Sequence, residues 1–264
     1  MKQKLYRIDA FADKLFAGNP AAVCPLDKWL SNDLMKNIAI ENNLSTTAFY
    51  IKEGNDYHIR WFTKTIELAL NGNATVAAAH VLMTHEGFKG NEIHFNSKSG
   101  LLTVKKLGDY YTLNLPTDEY ELVKTPAELS ISLNIRPMEC YKGREDYMLV
   151  YPSEQDIPKL KPNFRAMSLV SSRGIIVTAP GTPGGKADFV SRFFAPQNGI
   201  EEDSVTGSAH STLTPYWSAK LGKKDLYAIQ LSARKGHLKC SHIGDRVEIS
   251  GQACTYLIGE IELD

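Results

Sequence analysis

The chain has 264 residues, enough for one large domain or two of ordinary size, and 43% of them are hydrophobic, as in a soluble globular protein. Its 30 basic and 30 acidic residues cancel, which removes the electrostatic case for a nucleic-acid or membrane-surface partner. The longest apolar runs are too short to span a bilayer and the start reads directly into a strand instead of a signal peptide, so the cytoplasm is the default.

Residues 6–11 alternate like a strand. Gly18-Asn19-Pro20 signals a turn, and a short strand resumes at 21–24. Leu30-Ser31-Asn32-Asp33 offers an N-cap before helical spacing over 34–42. Residues 47–51 and 57–62 read as strands, and 74–83 as a helix so apolar all round that it should be buried. Three strands in a meander follow, at 92–96, 101–106 and 110–115. A boundary falls near Pro116-Thr117-Asp118-Glu119. Beyond it come a short helix at 126–133, strands within 139–151, and a helical stretch from Asn163. Strands at 174–179 and 187–194 flank a Pro- and Gly-rich turn. A second central helix spans 209–220 with Pro215 awkwardly inside it, and the tail is strand after strand.

One unit occurs twice. Arg60-Trp61-Phe62-Thr63 ends a strand, and Asn71-Gly72-Asn73-Ala74 opens a helix. Arg192-Phe193-Phe194-Ala195 and Thr206-Gly207-Ser208-Ala209 repeat the arrangement. A single duplication excludes a solenoid. It predicts an α+β fold of two pseudo-symmetric domains, each a barrel-like, mostly antiparallel sheet around a central apolar helix. The expected halves are 1–116, completed by a C-terminal strand at about 252–264, and 117–251, with an active cleft between them. Two helix N-termini aimed at one cleft would grip a carboxylate or stabilise a developing oxyanion. The cysteines, Cys24, Cys140, Cys240 and Cys254, lack Cys-x-x-Cys spacing, and no His pair has a metalloprotease pattern, so neither a disulfide frame nor a metal site is expected.

Five ordered motifs carry a resemblance. They are Gly18-Asn19-Pro20-Ala21-Ala22-Val23, Asn43-Leu44-Ser45, Arg60-Trp61-Phe62-Thr63, Gly72 with Ala74-Thr75, and Glu202-Asp203-x-Val205-Thr206-Gly207-Ser208-Ala209-His210 with Pro215-Tyr216-Trp217. Together they resemble the PhzF-like (phenazine-biosynthesis type) isomerase family across essentially the whole chain. The resemblance implies the diaminopimelate-epimerase fold, cofactor-free proton transfer on small acids, and a homodimer. Two departures stand out. Where the family places its acid/base Glu after Asn-Leu-Ser, this chain has Thr46, and the family's Cys-Gly-His is Asn71-Gly72-Asn73. The paired thiols of the sister epimerases correspond to Asn71 and, by the repeat, Thr206. None of these side chains titrates near neutral pH, which disfavours two-base racemisation.

Asp203 keeps the family's acidic position. On residues alone it reads as a helix cap; the resemblance favours the surviving acid/base. Glu201 and Glu202 flank it, either as a solvated acidic loop or as neighbours that raise one carboxyl's pKa. Gly72 and Gly207 read as close-approach positions at an anion site, and Asn73 and Ser208 either as donors to the same carboxylate or as helix caps. Thr206 falls at the second helix start. Ser45 and Thr46 could hold substrate groups or form strand surface. Asn19 fits a turn better than a contact, though the resemblance puts it near the cleft. His80, His85 and His210 read as packing residues. Arg60 and Arg192 should pair with Glu67, Glu201 or a carbonyl. Glu41, at a helix end, is a weak substitute for the missing Glu. The expected activity is an isomerase or epimerase acting on a small carboxylate. The alternative is a carboxylate-binding protein that has lost its catalytic groups.

Overall fold

The computed structural model describes residues 2–263. Two compact units form: one spans the chain to Asn114 together with the segment from Ile249 onward, and the other is Leu115–Glu248.

In the first unit β1 (Lys2–Ala10) and β2 (Asn19–Leu26) pair antiparallel. Helix α1 (Asn32–Asn42) crosses to β3 (Thr46–Glu53), which lies parallel to β2. A parallel neighbour cannot be reached by a tight turn, so a crossover helix is required there. Next come β4 (Asp56–Phe62) and β5 (Glu67–Leu68), each antiparallel to the strand before it. Helix α2 (Gly72–Thr84) is the second crossover, placing β6 (Glu92–Ser97) parallel to β4. The meander β7 (Gly100–Leu107) and β8 (Tyr110–Pro116) follows.

The second unit begins with β9 (Tyr120–Leu122) and α3 (Ala127–Ser132), then repeats the plan. β10 (Glu139–Gly143) and β11 (Asp146–Val150) pair antiparallel. A 3-10 turn and α4 (Phe164–Met167) cross to β12 (Gly174–Pro180), parallel to β11. β13 (Phe189–Ala195) and β14 (Ile200–Asp203) are antiparallel to their predecessors. Helix α5 (His210–Leu221) crosses to β15 (Asp225–Gln230), parallel to β13, and β16 (Gly236–Ile243) and β17 (Arg246–Gly251) close the run. The last strand, β18 (Ala253–Glu262), pairs with β1, as β9 pairs with β10. Each unit is thus a mostly antiparallel sheet around one helix, with parallel pairs only where a helix crosses over.

The sequence reading of α2 holds: every residue from Gly72 to Leu82 is buried. On the other face of that sheet, Met35, Ile38 and Ala39 of α1 pack with Cys24, Phe49 and Phe62. Ser31 caps α1, its hydroxyl accepting from the Leu34 N–H at 3.2 Å. Helix α5 is more polar inside, burying His210, Thr212, Thr214 and Ser218 beside Leu213, Tyr216 and Trp217. The helix runs on through Pro215 without a break. The proline's missing N–H leaves the Ser211 carbonyl without an intrahelical donor, and the Asp118 N–H fills that place at 3.0 Å. The outer layer of this unit gathers Leu129, Ile157, Leu160 and Met167 over Val177 and Phe194. The four cysteines are free thiols. Among the described residues no group of three or more His, Cys, Asp and Glu side chains could hold a metal ion.

Candidate functional site

Strand register matches the two units residue by residue. Phe49 faces Arg60 across β3–β4, and Val177 faces Arg192 across β12–β13. Counting from these pairs equates Ser45 with Arg173 and Thr46 with Gly174. Beyond the strands the spacing differs by three residues, and the Gly72-Asn73-Ala74 and Gly207-Ser208-Ala209 motifs, 12 and 15 residues past these arginines, equate Asn71, Gly72, Asn73 and Thr75 with Thr206, Gly207, Ser208 and His210.

The two arginines are structural anchors in both halves. Arg60 donates Nε and Nη2 to the Glu67 carboxylate at 2.8 and 2.9 Å. Arg192 does the same to Glu202 at 2.7 and 2.9 Å, and reaches the carbonyls of Ile157 and Leu160. Each guanidinium also lies over the phenylalanine two residues on, Phe62 or Phe194. The partner in the second half is therefore Glu202 and not Glu201, which is exposed. These bidentate pairs tie the short strands β5 and β14 to the ends of β4 and β13, and so fix where the following helices begin.

At the start of α2, Asn71 is the N-cap: its Oδ1 accepts from the Ala74 N–H at 2.9 Å. Its Nδ2 donates to Thr46 Oγ1 at 3.0 Å, which joins Thr46 to the helix end. Thr46 is 2% exposed. Asn73 is not the cap. It is 4% exposed, and its Nδ2 donor is buried with no partner. Nearby, the Ser45 hydroxyl donates to Asn19 Oδ1 at 3.0 Å, and Asn19 is itself buried. Both Gly72 and Gly207 are buried, and neither has a positive φ, so backbone strain is not what selects glycine there. Glu41 is exposed.

At the start of α5 a 3-10 turn, Gly207–Ala209, precedes the helix. Asp203 does not cap it. Its Oδ2 accepts from the Thr206 hydroxyl at 2.5 Å, while Gln230 clamps the same corner. The Gln230 side chain donates to the Asp203 carbonyl and accepts from the Thr206 N–H, both at 2.8 Å. His210 matches Thr75 in place and in bonding. Thr75 Oγ1 donates to the Asn71 carbonyl at 2.5 Å, and His210 Nδ1 meets the Thr206 carbonyl at 3.0 Å. Burial pushes His210 down to about 4, so its imidazole is neutral at pH 7, and its Nε2 is buried without a partner. The ring is a packing residue that is only half satisfied.

The sequence reading missed Arg173. It donates Nη1 to Ser208 Oγ at 2.8 Å and both Nε and Nη2 to the buried carboxylate of Asp146. Its Ser45 counterpart was named, but the repeat does not reveal the match at a fixed offset. Ser45 stands 15 residues before Arg60, and Arg173 stands 19 before Arg192, because the second hairpin is longer. Gly174, at the place of Thr46, has no room for a side chain: a Cβ there would run into the Phe193 ring.

Comparison with known proteins agrees with this architecture. The family model for phenazine biosynthesis-like proteins, PhzC-PhzF, matches residues 8–259. An uncharacterized isomerase of Pseudomonas aeruginosa is 44% identical over 263 residues, covering 100% of both chains. The crystal structure of a PhzF-family phenazine biosynthesis protein from Enterococcus faecalis superimposes with a TM-score of 0.95 at 43% identity, again over 100% of both chains. A hydroxyproline epimerase from Agrobacterium vitis, solved with trans-4-hydroxy-L-proline bound, has a TM-score of 0.65 at 10% identity, covering 100% of this chain and 93% of that one, which is a likeness of fold alone. With the fold, the internal repeat and full-length relatives in agreement, this chain belongs to the phenazine biosynthesis-like PhzC-PhzF family.

Proposed function

We propose that the chain is a cofactor-independent isomerase that moves a proton on a small carboxylate-bearing metabolite. In this reading the start of each central helix, α2 and α5, takes up a carboxylate group, with Asp203 as acid/base. One observation carries the reading: Asn73, buried in the first turn of α2, presents an amide donor with no protein acceptor. An unmade hydrogen bond at a buried donor is costly, and a substrate oxygen would satisfy it. The helix end adds N–H groups and positive potential at the same place. In the other half, Asp203 accepts from the Thr206 hydroxyl at the start of α5, and neighbouring Glu202 pairs with Arg192. Asn19, Ser45, Gly72, Thr206, Gly207 and Ser208 complete the substrate contacts in this reading, and Thr46 occupies the place of the family's Glu. Family membership also suggests a homodimer in the cytoplasm, and light scattering on the purified protein tests the dimer.

A second reading is supported by Thr46 itself. Its hydroxyl is engaged by Asn71 and does not titrate, so the chain would bind a carboxylate without turning it over. Proton NMR in D2O separates the two. The panel contains small amino, hydroxy and cyclic unsaturated acids, trans-4-hydroxy-L-proline among them. The isomerase reading expects deuterium at a carbon next to an activating group, lost in Asp203→Asn with binding kept. Exchange that survives Asp203→Asn removes that residue's role. Exchange only in a Thr46→Glu, Asn73→His double variant favours the binding protein.

A further inference from the structure

The match between Ser45 and Arg173 has a chemical consequence. Ser45 turns inward, donating to Asn19 and to the Pro20 carbonyl. Arg173 instead spends Nε and Nη2 on Asp146, which is 4% exposed, and extends Nη1 to Ser208. Its guanidinium carbon lies 5.5 Å from the centre of the Phe193 ring, so the plane is held from below as well as from the side. Burial alone would weaken its charge, but Asp146, Glu145 and Asp203 outweigh that and keep it protonated.

Asp146 cancels the formal charge of Arg173, and Glu145 Oε2 also lies 3.2 Å from its Nε, so the cluster carries no net positive charge. What remains is an oriented pair whose positive end meets the Ser208 oxygen. A hydroxyl that accepts from a guanidinium must send its own proton elsewhere, and its donor strength rises with the polarisation. Ser208 is half-buried, and its hydroxyl is therefore set as a donor toward whatever lies at the start of α5. The first half has no such device, since Asn73 there is neutral and has no cationic partner.

We propose that Arg173 is a positioning residue for the carboxylate at the start of α5, acting through Ser208 and making that end selective for an anion over a neutral amide. This rests on the reading of the α5 start as part of a carboxylate site. The test compares benzoate with benzamide, followed by amide NMR titration of the wild type, Arg173→Gln, Ser208→Ala and the double variant. Because Arg173→Gln leaves Asp146 buried and unpaired, Asp146→Asn/Arg173→Gln is measured alongside to keep the fold.

The wild type should bind benzoate about tenfold more tightly than benzamide, with shifts at residues 207–210. Losing a charge-assisted donor corresponds to roughly that factor. Arg173→Gln, Ser208→Ala and the Asp146→Asn pair should each abolish the preference. The Arg173→Gln/Ser208→Ala double variant should lose no more than either single one, because the two act in series. A wild type without the preference overturns the carboxylate-site reading and the assignment with it. A wild-type preference that Arg173→Gln retains overturns the assignment alone, and so does a double variant whose losses multiply.

Discussion

The clearest quantitative expectation concerns His80 and acid. Its ring lies at the end of α2, 8% exposed, with Nδ1 at 3.0 Å from the Tyr111 hydroxyl and Nε2 at 2.8 Å from Thr255 Oγ1. His85 Nε2 reaches the same oxygen, also at 2.8 Å. That hydroxyl can give its single proton to only one of the two rings, so at least one of the two Nε2 atoms donates to it. Burial, then repulsion from His85 and Lys106, pushes His80 down to about 4. His85 moves the same way through burial, with Glu86 opposing.

A folded-state value below the unfolded 6.5 means the unfolded chain binds the extra proton. The stabilisation is therefore complete above pH 6.5, falls as pH drops, and is fully lost below about 4. His80 alone contributes a loss of about 2 kcal/mol between pH 7 and pH 5, and about 3 kcal/mol over the whole window. That is a sizeable part of an ordinary domain's stability. Urea unfolding at pH 7 and pH 5, followed by tryptophan fluorescence, reads it out, and His80→Gln should flatten the slope by that amount. Equal pH slopes in the variant and the wild type would refute the reasoning. So would an imidazole signal for His80 that titrates near 6.5 in the folded protein.

Three further outcomes are expected. Arg60→Met should cost about 2 kcal/mol by removing the bidentate partner of Glu67 and leaving it only Lys98, at 2.7 Å. Side-chain bonding to Arg60 outweighs burial and brings Glu67 down to about 2, so the loss should shrink in wild-type comparisons as pH falls from 4.5 toward 2; a loss independent of pH contradicts this. Gly174→Ala should destabilise by roughly 1–3 kcal/mol through its clash with Phe193, and thermal melts would show no change if that ring simply moved aside. Asn71→Ala should cost about 1 kcal/mol from the lost cap of α2, with Asn71→Asp keeping most of it; equal melting of Asn71→Ala and the wild type would count against the cap.

Some features were legible because their causes are local. The all-round apolarity of 74–83 marks a buried helix wherever it packs, and Ser31 before a periodic segment caps it within four residues. The duplicated motifs carried the two-unit plan, since the same local pattern folds the same way twice. Strands of two to four residues such as β5, β9 and β14 have too few positions to show a period.

Other features depended on residues distant in sequence. Helix α5 continues through Pro215 only because Asp118, nearly a hundred positions earlier, supplies the missing donor. Alternation along β14 decides that Glu202 faces Arg192 while Glu201 faces water, a one-residue distinction that composition cannot make. Asn71 and not Asn73 became the cap, which left Asn73 as the orphan donor, because the helix begins two residues before its apolar run. Arg173 stayed hidden because hairpins of unequal length break a fixed spacing, while strand register preserves the match. The sequence by itself determined the family, the duplication and the elements whose cause lies within a few neighbours. Which polar groups meet, and which are left without a partner, was decided by the tertiary structure, because hydrogen bonds are short and directional and join whatever the fold brings within about 3 Å.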